Sequence, residues 1–270
     1  MNQEEIFIRE VHRNVESLGD DKDLQALSRI WVREITPHKW AYNFSWLGRP
    51  AIQFPNDAWA MQELVWRIKP DLIIETGIAH GGSLVMNASL LALLDLCEAI
   101  EANVPLDPRV SRRKVLGIDI DIRAHNRTAI EAHPMASRIQ MIEGSSVAPK
   151  VIEQVRQVAL GYQRILVCLD SNHTHAHVLA ELEAYAPLVT EGSYCVVFDT
   201  IVEDMPKAMF PDRPWGPGDN PKTAVWEYLR LLDTEGRMGA DGTPLQFEIE
   251  IAIQNKLLIT VAPDGYLRRV

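Results

Sequence analysis

From residue 70 onward, short runs of continuous aliphatic residues alternate with stretches of helical periodicity, and this alternation constrains the fold more than any other feature of the chain. The apolar runs are Leu72 to Ile74, Val115 to Ile118, Ile139 to Ile142, Ile165 to Leu169 and Tyr194 to Val197. The helical stretches between them are Gly82 to Cys97, Arg123 to Ala132, Val147 to Leu160 and His175 to Leu188. Strands without a polar face have no solvent side, and strands separated by helices are joined by crossovers, so the pattern predicts a mostly parallel sheet covered on both faces. That is a doubly wound α/β domain. A Pro/Gly-rich loop, Pro206 to Pro221, follows the fifth strand; then come a helix from Lys222 to Leu232 and two runs, Phe247 to Ile253 and Leu257 to Val261. Their connection, Gln254-Asn255-Lys256, is too short for a crossover helix and predicts an antiparallel pair of strands.

Residues 1–56 read differently from 57–270. A polar helical opening leads into His38-Lys39-Trp40-Ala41-Tyr42-Asn43-Phe44-Ser45-Trp46-Leu47-Gly48-Arg49-Pro50, which predicts either a cap over a site or an arm packed on the core. Asp57 is expected to cap the helix that carries Met61, Leu64, Val65 and Ile68. The chain's 27 basic against 37 acidic side chains leave a net charge of −10, which argues against a nucleic acid or an anionic membrane as partner. The opening residues lack the apolar core of a signal peptide, the stretch Leu84 to Ile100 is broken by polar residues, and Cys97, Cys168 and Cys195 are isolated in apolar runs. Together these predict a cytoplasmic protein with reduced thiols.

The chemistry-bearing residues gather at strand ends. The first strand runs into Glu75-Thr76-Gly77-Ile78-Ala79-His80-Gly81-Gly82-Ser83. In open parallel sheets a glycine turn at a strand's carboxyl end lets the backbone approach a ligand. Gly77 and Gly82 have P-loop spacing, but Ser83 stands where the phosphate-binding Lys belongs, and Ala79 spoils the dinucleotide pattern. The second strand ends at Asp119, placed to accept hydrogen bonds from a ribose diol, while Asp121 is expected to cap the next helix. The fourth ends in Asp170-Ser171-Asn172-His173, which puts a hard oxygen ligand and a general base into one crevice. His173, His175 and His177 also admit a zinc reading, which the lack of a second Cys/His group at a strand end disfavours. The fifth ends at Asp199, and the pair Asp170 and Asp199 suits Mg²⁺.

These motifs, with Trp46-Leu47-Gly48, Gly117-Ile118-Asp119, Gly218-Asp219-Asn220-Pro221 and the ending Lys256 to Leu267, resemble the cephalosporin hydroxylase family over most of the chain. Those proteins are class I S-adenosylmethionine-dependent methyltransferases related to rhamnosyl and macrolide-sugar O-methyltransferases. The resemblance implies a Rossmann-like seven-stranded sheet and an S-adenosylmethionine site lined by Glu75, Thr76, Gly77, Gly81, Ser83, Asp119 and Ser145. It also implies Mg²⁺ at Asp170 and Asp199, His173 as base, a small-molecule acceptor, and a homo-oligomer. The family shows Glu-Asp-Thr after the fifth strand, whereas this chain has Phe198-Asp199-Thr200, so the cation is expected to draw on water or on Glu203 or Asp204, or to be absent. Two other readings stay open: an iron-dependent hydroxylase, which would recruit His175 or His177 beside Asp170, and a non-catalytic cofactor-binding subunit.

Overall fold

A computed structural model describes residues 2–270. Two helices, α1 (Gln3–Asp20) and α2 (Lys22–Ile35), lead through 3-10 turns into a hairpin, β1 (Phe44–Trp46) and β2 (Arg49–Ala51). Then come α3 (Pro55–Ile68), β3 (Leu72–Thr76), α4 (Gly82–Ala102), β4 (Lys114–Asp119), α5 (Ala124–Glu131), β5 (Ile139–Glu143), α6 (Pro149–Ala159), β6 (Ile165–Leu169), α7 (His175–Tyr185) and β7 (Tyr194–Val197). The chain ends with α8 (Pro221–Glu235), β8 (Phe247–Ile249), α9 (Ile251–Leu257) and β9 (Tyr266–Arg269). The main sheet has the order β5-β4-β3-β6-β7-β9-β8, parallel from β5 to β7 and antiparallel at β9 and β8. The direction of strand progression reverses between β3 and β6, which puts the crevice of a doubly wound sheet at their carboxyl ends.

Successive residues of each central strand enter different cores, which is why these strands show no polar alternation. Leu72, Ile74, Val167, Leu169 and Val197 pack with α6, α7 and α8 through Val155, Leu182 and Tyr228. Ile73, Val115, Leu166, Cys168 and Val196 pack with α3, α4 and α5 through Leu64, Leu91 and Ile130. α4 is long and apolar enough by composition to cross a membrane, more so than its interrupting polar residues suggest; half of its apolar window is buried on the sheet, as in a core helix.

Three expectations fail locally. The antiparallel pair exists, but its second strand is Tyr266–Arg269; Ile251–Leu257 is helical, burying Ile253 and tucking Leu257 behind it at i+4 spacing, and the run through Val261 is a loop. That loop is apolar because Ile259 and Val261 pack beside Phe54 and Met205. Asp57 does not cap α3, which begins two residues earlier at Pro55. It is fully buried and accepts hydrogen bonds from the Thr260 hydroxyl, the Val261 amide (3.0 Å) and the Tyr266 hydroxyl (2.7 Å), and burial pushes its carboxyl up to about 6. Asp121 is likewise no cap, since α5 starts after Arg123 without a side-chain cap bond.

The N-terminal segment divides its tasks. Trp40 meets Trp31, Phe44 and Phe54 edge-on at 5.0, 4.8 and 5.1 Å, and this aromatic knot packs with Val32, Met205, Met209 and Phe210, tying the arm to the chain that leaves β7. The hairpin lies on the start of α4, where the Trp46 indole donates to Ser89 Oγ at 2.9 Å.

Candidate active site

The turn after β3 is built by close approach. Gly77 has φ 90°, and a Cβ there would collide with the Asp170 carbonyl at the end of neighbouring β6; its amide donates to Ile118 O at 2.8 Å. At Gly82, the first residue of α4, a Cβ would strike the Pro50 carbonyl, so hairpin and helix start are in contact. Arg49 donates to the His80 carbonyl from Nε (3.0 Å) and Nη2 (2.5 Å) and to Asn126 Oδ1 (3.1 Å), while Asn126 Nδ2 donates to Ala79 O at 2.9 Å. Arg49 and Asn126 thus hold the turn's carbonyls and leave its opposite side free. Sequence reasoning missed both; Arg49 stood directly after the Trp46-Leu47-Gly48 motif without a role.

Asp119, half-buried at the tip of β4, accepts from the Ile78 and Ala79 amides through Oδ2 at 2.8 and 3.2 Å and from the Asp121 amide through Oδ1 at 3.1 Å. Glu75 is 3% exposed, with Ser83 Oγ donating to one oxygen and Asn87 Nδ2 to the other at 2.8 Å; burial pushes its carboxyl up to about 7 against the lowering effect of both donors. Thr76 is buried, Gly81 has φ 80°, and half-buried Ser145 follows Gly144 at the end of β5. Glycine cradle, carboxylate at the adjacent strand tip and hydroxyls at the next suit a nucleoside-bearing cofactor.

Asp170, His173 and Asp199 meet at the ends of β6 and β7, their ligand atoms all within 4.8 Å of one another. His173 Nε2 lies 3.2 Å from Asp199 Oδ2. Asp199 has φ 55°, a left-handed turn that Asp tolerates better than most residues, and it starts the 3-10 turn Thr200–Asp204. Desolvation pushes the Asp170 carboxyl well above the usual carboxylate range, and the negative charge of Asp199 adds to it. Two hard oxygen donors that repel one another, with an imidazole alongside, fit a divalent cation. The expected auxiliary acids are committed elsewhere: Glu203 accepts from the Gly218 amide at 2.7 Å and from Asn220, and Asp204 pairs with Lys222 Nζ at 2.7 Å. Phe198 is buried in the same apolar cluster as Cys168, Val196 and Tyr266, so the oxygen donors are the two carboxylates, with the histidine alongside.

Trp215, which sequence reasoning passed over, brings the Pro-rich loop onto the site. Its ring meets His173 edge-on at 4.9 Å, and the Arg213 guanidinium lies 5.1 Å from its centroid. The other two histidines are engaged away from the cluster: His175 Nδ1 is 2.9 Å from Thr223 Oγ1, and His177 Nε2 is 3.0 Å from Ser146 Oγ. The His-rich zinc group and the two-histidine iron triad are therefore not assembled among the described residues. Two grooves, one lined by Arg67, Tyr194 and Glu250 at the amino end of β7 and one by Val11, Ala60 and Lys256 between α1, α3 and α9, contain none of the candidate residues.

Residues 38–270 match the family model described as rhamnosyl O-methyltransferase/CmcI. The rhamnosyl O-methyltransferase of Mycobacterium leprae (strain TN) is 30% identical over 239 residues, 86% of this chain and 88% of that protein. That of Mycobacterium tuberculosis (strain H37Rv) is 30% identical over 242 residues, 86% of this chain and 83% of that protein. Among solved structures, the Mg-SAM form of CmcI superposes with a TM-score of 0.53 at 18% identity, covering 85% of this chain and 77% of that one, a likeness of fold.

Proposed function

The chain belongs to the rhamnosyl O-methyltransferase/CmcI family and is an S-adenosylmethionine-dependent O-methyltransferase; on that footing we propose that it methylates a hydroxyl of a sugar-bearing small molecule seated at Asp170, His173 and Asp199. The observation that carries the assignment of the site is the convergence of two carboxylates and an imidazole within 4.8 Å at the carboxyl edge of the sheet, where the Asp170 backbone abuts Gly77 of the glycine turn. The rhamnosyl activity of the mycobacterial relatives supports a deoxysugar as the acceptor class.

In this reading, the turn from Gly77 to Gly81 lets the cofactor approach the backbone closely at its two glycines, Asp119 takes the ribose hydroxyls, and Thr76, Ser83 and Ser145 complete the wall, with Glu75 fixing the start of α4 from beneath. Asp170 and Asp199 would hold the cation, with His173 beside it. When bound, S-adenosylmethionine would supply the methyl group, with S-adenosylhomocysteine as the leaving group, and Mg²⁺ would supply a charge that lowers the pKa of the acceptor hydroxyl. The His173 imidazole takes the proton lost by that hydroxyl, and the Asp199 carboxylate, 3.2 Å from Nε2, offsets the imidazolium charge. Trp215 limits rotation of the imidazole, so the base meets the acceptor in one orientation.

The test is turnover. Purified protein with S-adenosylmethionine, Mg²⁺ and a panel of rhamnosides and other deoxysugar glycosides is expected to release S-adenosylhomocysteine, and chelation by EDTA to stop it. Activity indifferent to EDTA and to Asp170→Ala would sink the metal-assisted version; binding without turnover on every acceptor would favour the non-catalytic subunit. The hydroxylase alternative is disfavoured by the separate engagements of His175 and His177. We further assign the enzyme to the cytoplasm, and to a homo-oligomer built on the N-terminal helices, whose apolar side chains are largely unburied within one chain.

A further inference from the structure

One face of α7 carries a polar cluster that methyl transfer leaves without a task. His177 Nε2 lies 3.0 Å from Ser146 Oγ, 3.2 Å from Ser171 Oγ and 3.4 Å from Glu181 Oε1. Ser171 Oγ donates to the same Glu181 oxygen at 2.6 Å. Glu181 is 1% exposed, and its other oxygen, Oε2, is buried without a hydrogen-bond partner, so this carboxylate depends on His177 and Ser171 for compensation. Ser146 is buried as well, and its carbonyl accepts from the Tyr185 hydroxyl, which anchors it to the end of α7.

The placement of the two serines gives the cluster its meaning. Ser146 follows Ser145 at the tip of β5, on the cofactor side; Ser171 follows Asp170 at the tip of β6, on the cation side. β5 and β6 are not paired, since β4 and β3 stand between them, so no direct ladder joins the two tips. His177 touches both. A single imidazole nitrogen offers one N–H or one lone pair and cannot satisfy two hydroxyls and a carboxylate at once. Because the Ser171 hydrogen is spent on Glu181, Nε2 can meet Ser171 as a donor only, whereas it can meet Ser146 as donor or acceptor. The allocation of that nitrogen therefore has two states, one holding the tip of β6 and the other holding the tip of β5.

We propose that His177 is a positioning residue that couples the cofactor seat at Ser145 and Ser146 to the cation seat at Asp170, so that filling one changes the affinity of the other. The proposal rests on the methyltransferase reading of the site, and its test separates the two. Calorimetric titration of the full chain with S-adenosylhomocysteine, with and without saturating Mg²⁺, gives a ratio of affinities. That ratio is expected to depart from one by about fivefold or more in the wild type, the lower end of ordinary coupling between sites. In His177→Ala it falls to near one, and His177→Gln, which keeps a donor, restores part of it. Ser171→Ala also lowers the ratio, and carries the test if His177→Ala does not fold. A purely structural role for His177 would weaken binding equally in both conditions and leave the ratio intact. A wild-type ratio of one, or an undiminished ratio in folded His177→Ala or Ser171→Ala, overturns the coupling alone; failure of the wild type to bind S-adenosylhomocysteine at all overturns the methyltransferase reading.

Discussion

Glu75 shows how one buried side chain writes itself into the behaviour of the protein. Its carboxyl sits at about 7 in the folded chain against an ordinary 4.5, because burial disfavours the charge more than Ser83 and Asn87 restore it. The folded state therefore binds this proton more tightly than the unfolded state, and its stability declines as pH rises from 4.5 to about 7, then levels off. The size is about 3 kcal/mol by linkage. Asp57 acts in the same direction up to about 6. Glu75→Gln is expected to raise the melting temperature above pH 7, with the difference from wild type vanishing below pH 4.5; differential scanning calorimetry across that range checks it, and a wild-type profile that climbs toward pH 8 with no gain in the variant contradicts it. At the reacting centre, Asp170→Asn and His173→Ala are expected to lower turnover by about 10²-fold or more while leaving circular dichroism unchanged. A Mg²⁺ titration of turnover then separates them, with the His173 variant still responding to the cation and the Asp170 variant not. Retention of the Mg²⁺ response in Asp170→Asn would remove that residue from the cation site.

The elements explain what could and could not be read in advance. Strand tips were legible because an acid at the end of a continuous apolar run has one place to go in a parallel sheet, and Asp119, Asp170 and Asp199 all stand there. Contacts between distant segments were not, because nothing local encodes them. The Leu257 to Val261 run has the composition of a strand, yet Asp57, some two hundred residues earlier, holds Thr260 and Val261 in a loop and frees Tyr266–Arg269 to pair with β7. The aromatic arm showed that something packs, without showing that its hairpin braces the glycine turn. Arg49 carries that brace, so Arg49→Ala is expected to weaken S-adenosylhomocysteine binding by about tenfold, the worth of a charge-assisted hydrogen bond, measured by calorimetry. An unchanged affinity would mean that Asn126 and the contact of Gly82 with Pro50 hold the turn unaided.

At the scale of the whole molecule, the acidic surplus is distributed unevenly in meaning. Asp119, Asp170 and Asp199 face the carboxyl edge, where a cationic sulfonium and a divalent ion would neutralise them, whereas the Asp57 and Glu75 carboxyls are pushed up by burial behind it. The arm poses the opposite question, apolar surface with no cover. α1 buries no residue and α2 buries only Ser28 and Val32, while Phe7 and Leu27 are 64% and 60% exposed. Side chains this open contribute little to the stability of a single chain, and replacing them with Glu should change it by less than about 0.5 kcal/mol. If a second copy covers the arm, the same changes place charges in an apolar contact and drive the copies apart. Phe7→Glu with Leu27→Glu is therefore expected to shift the protein to a smaller species in sedimentation velocity while urea unfolding of the separated chains stays cooperative. An unaltered sedimentation coefficient in the double variant would place the subunit contact away from the arm, on another exposed apolar ridge such as Leu93, Leu96 and Ile100 of α4.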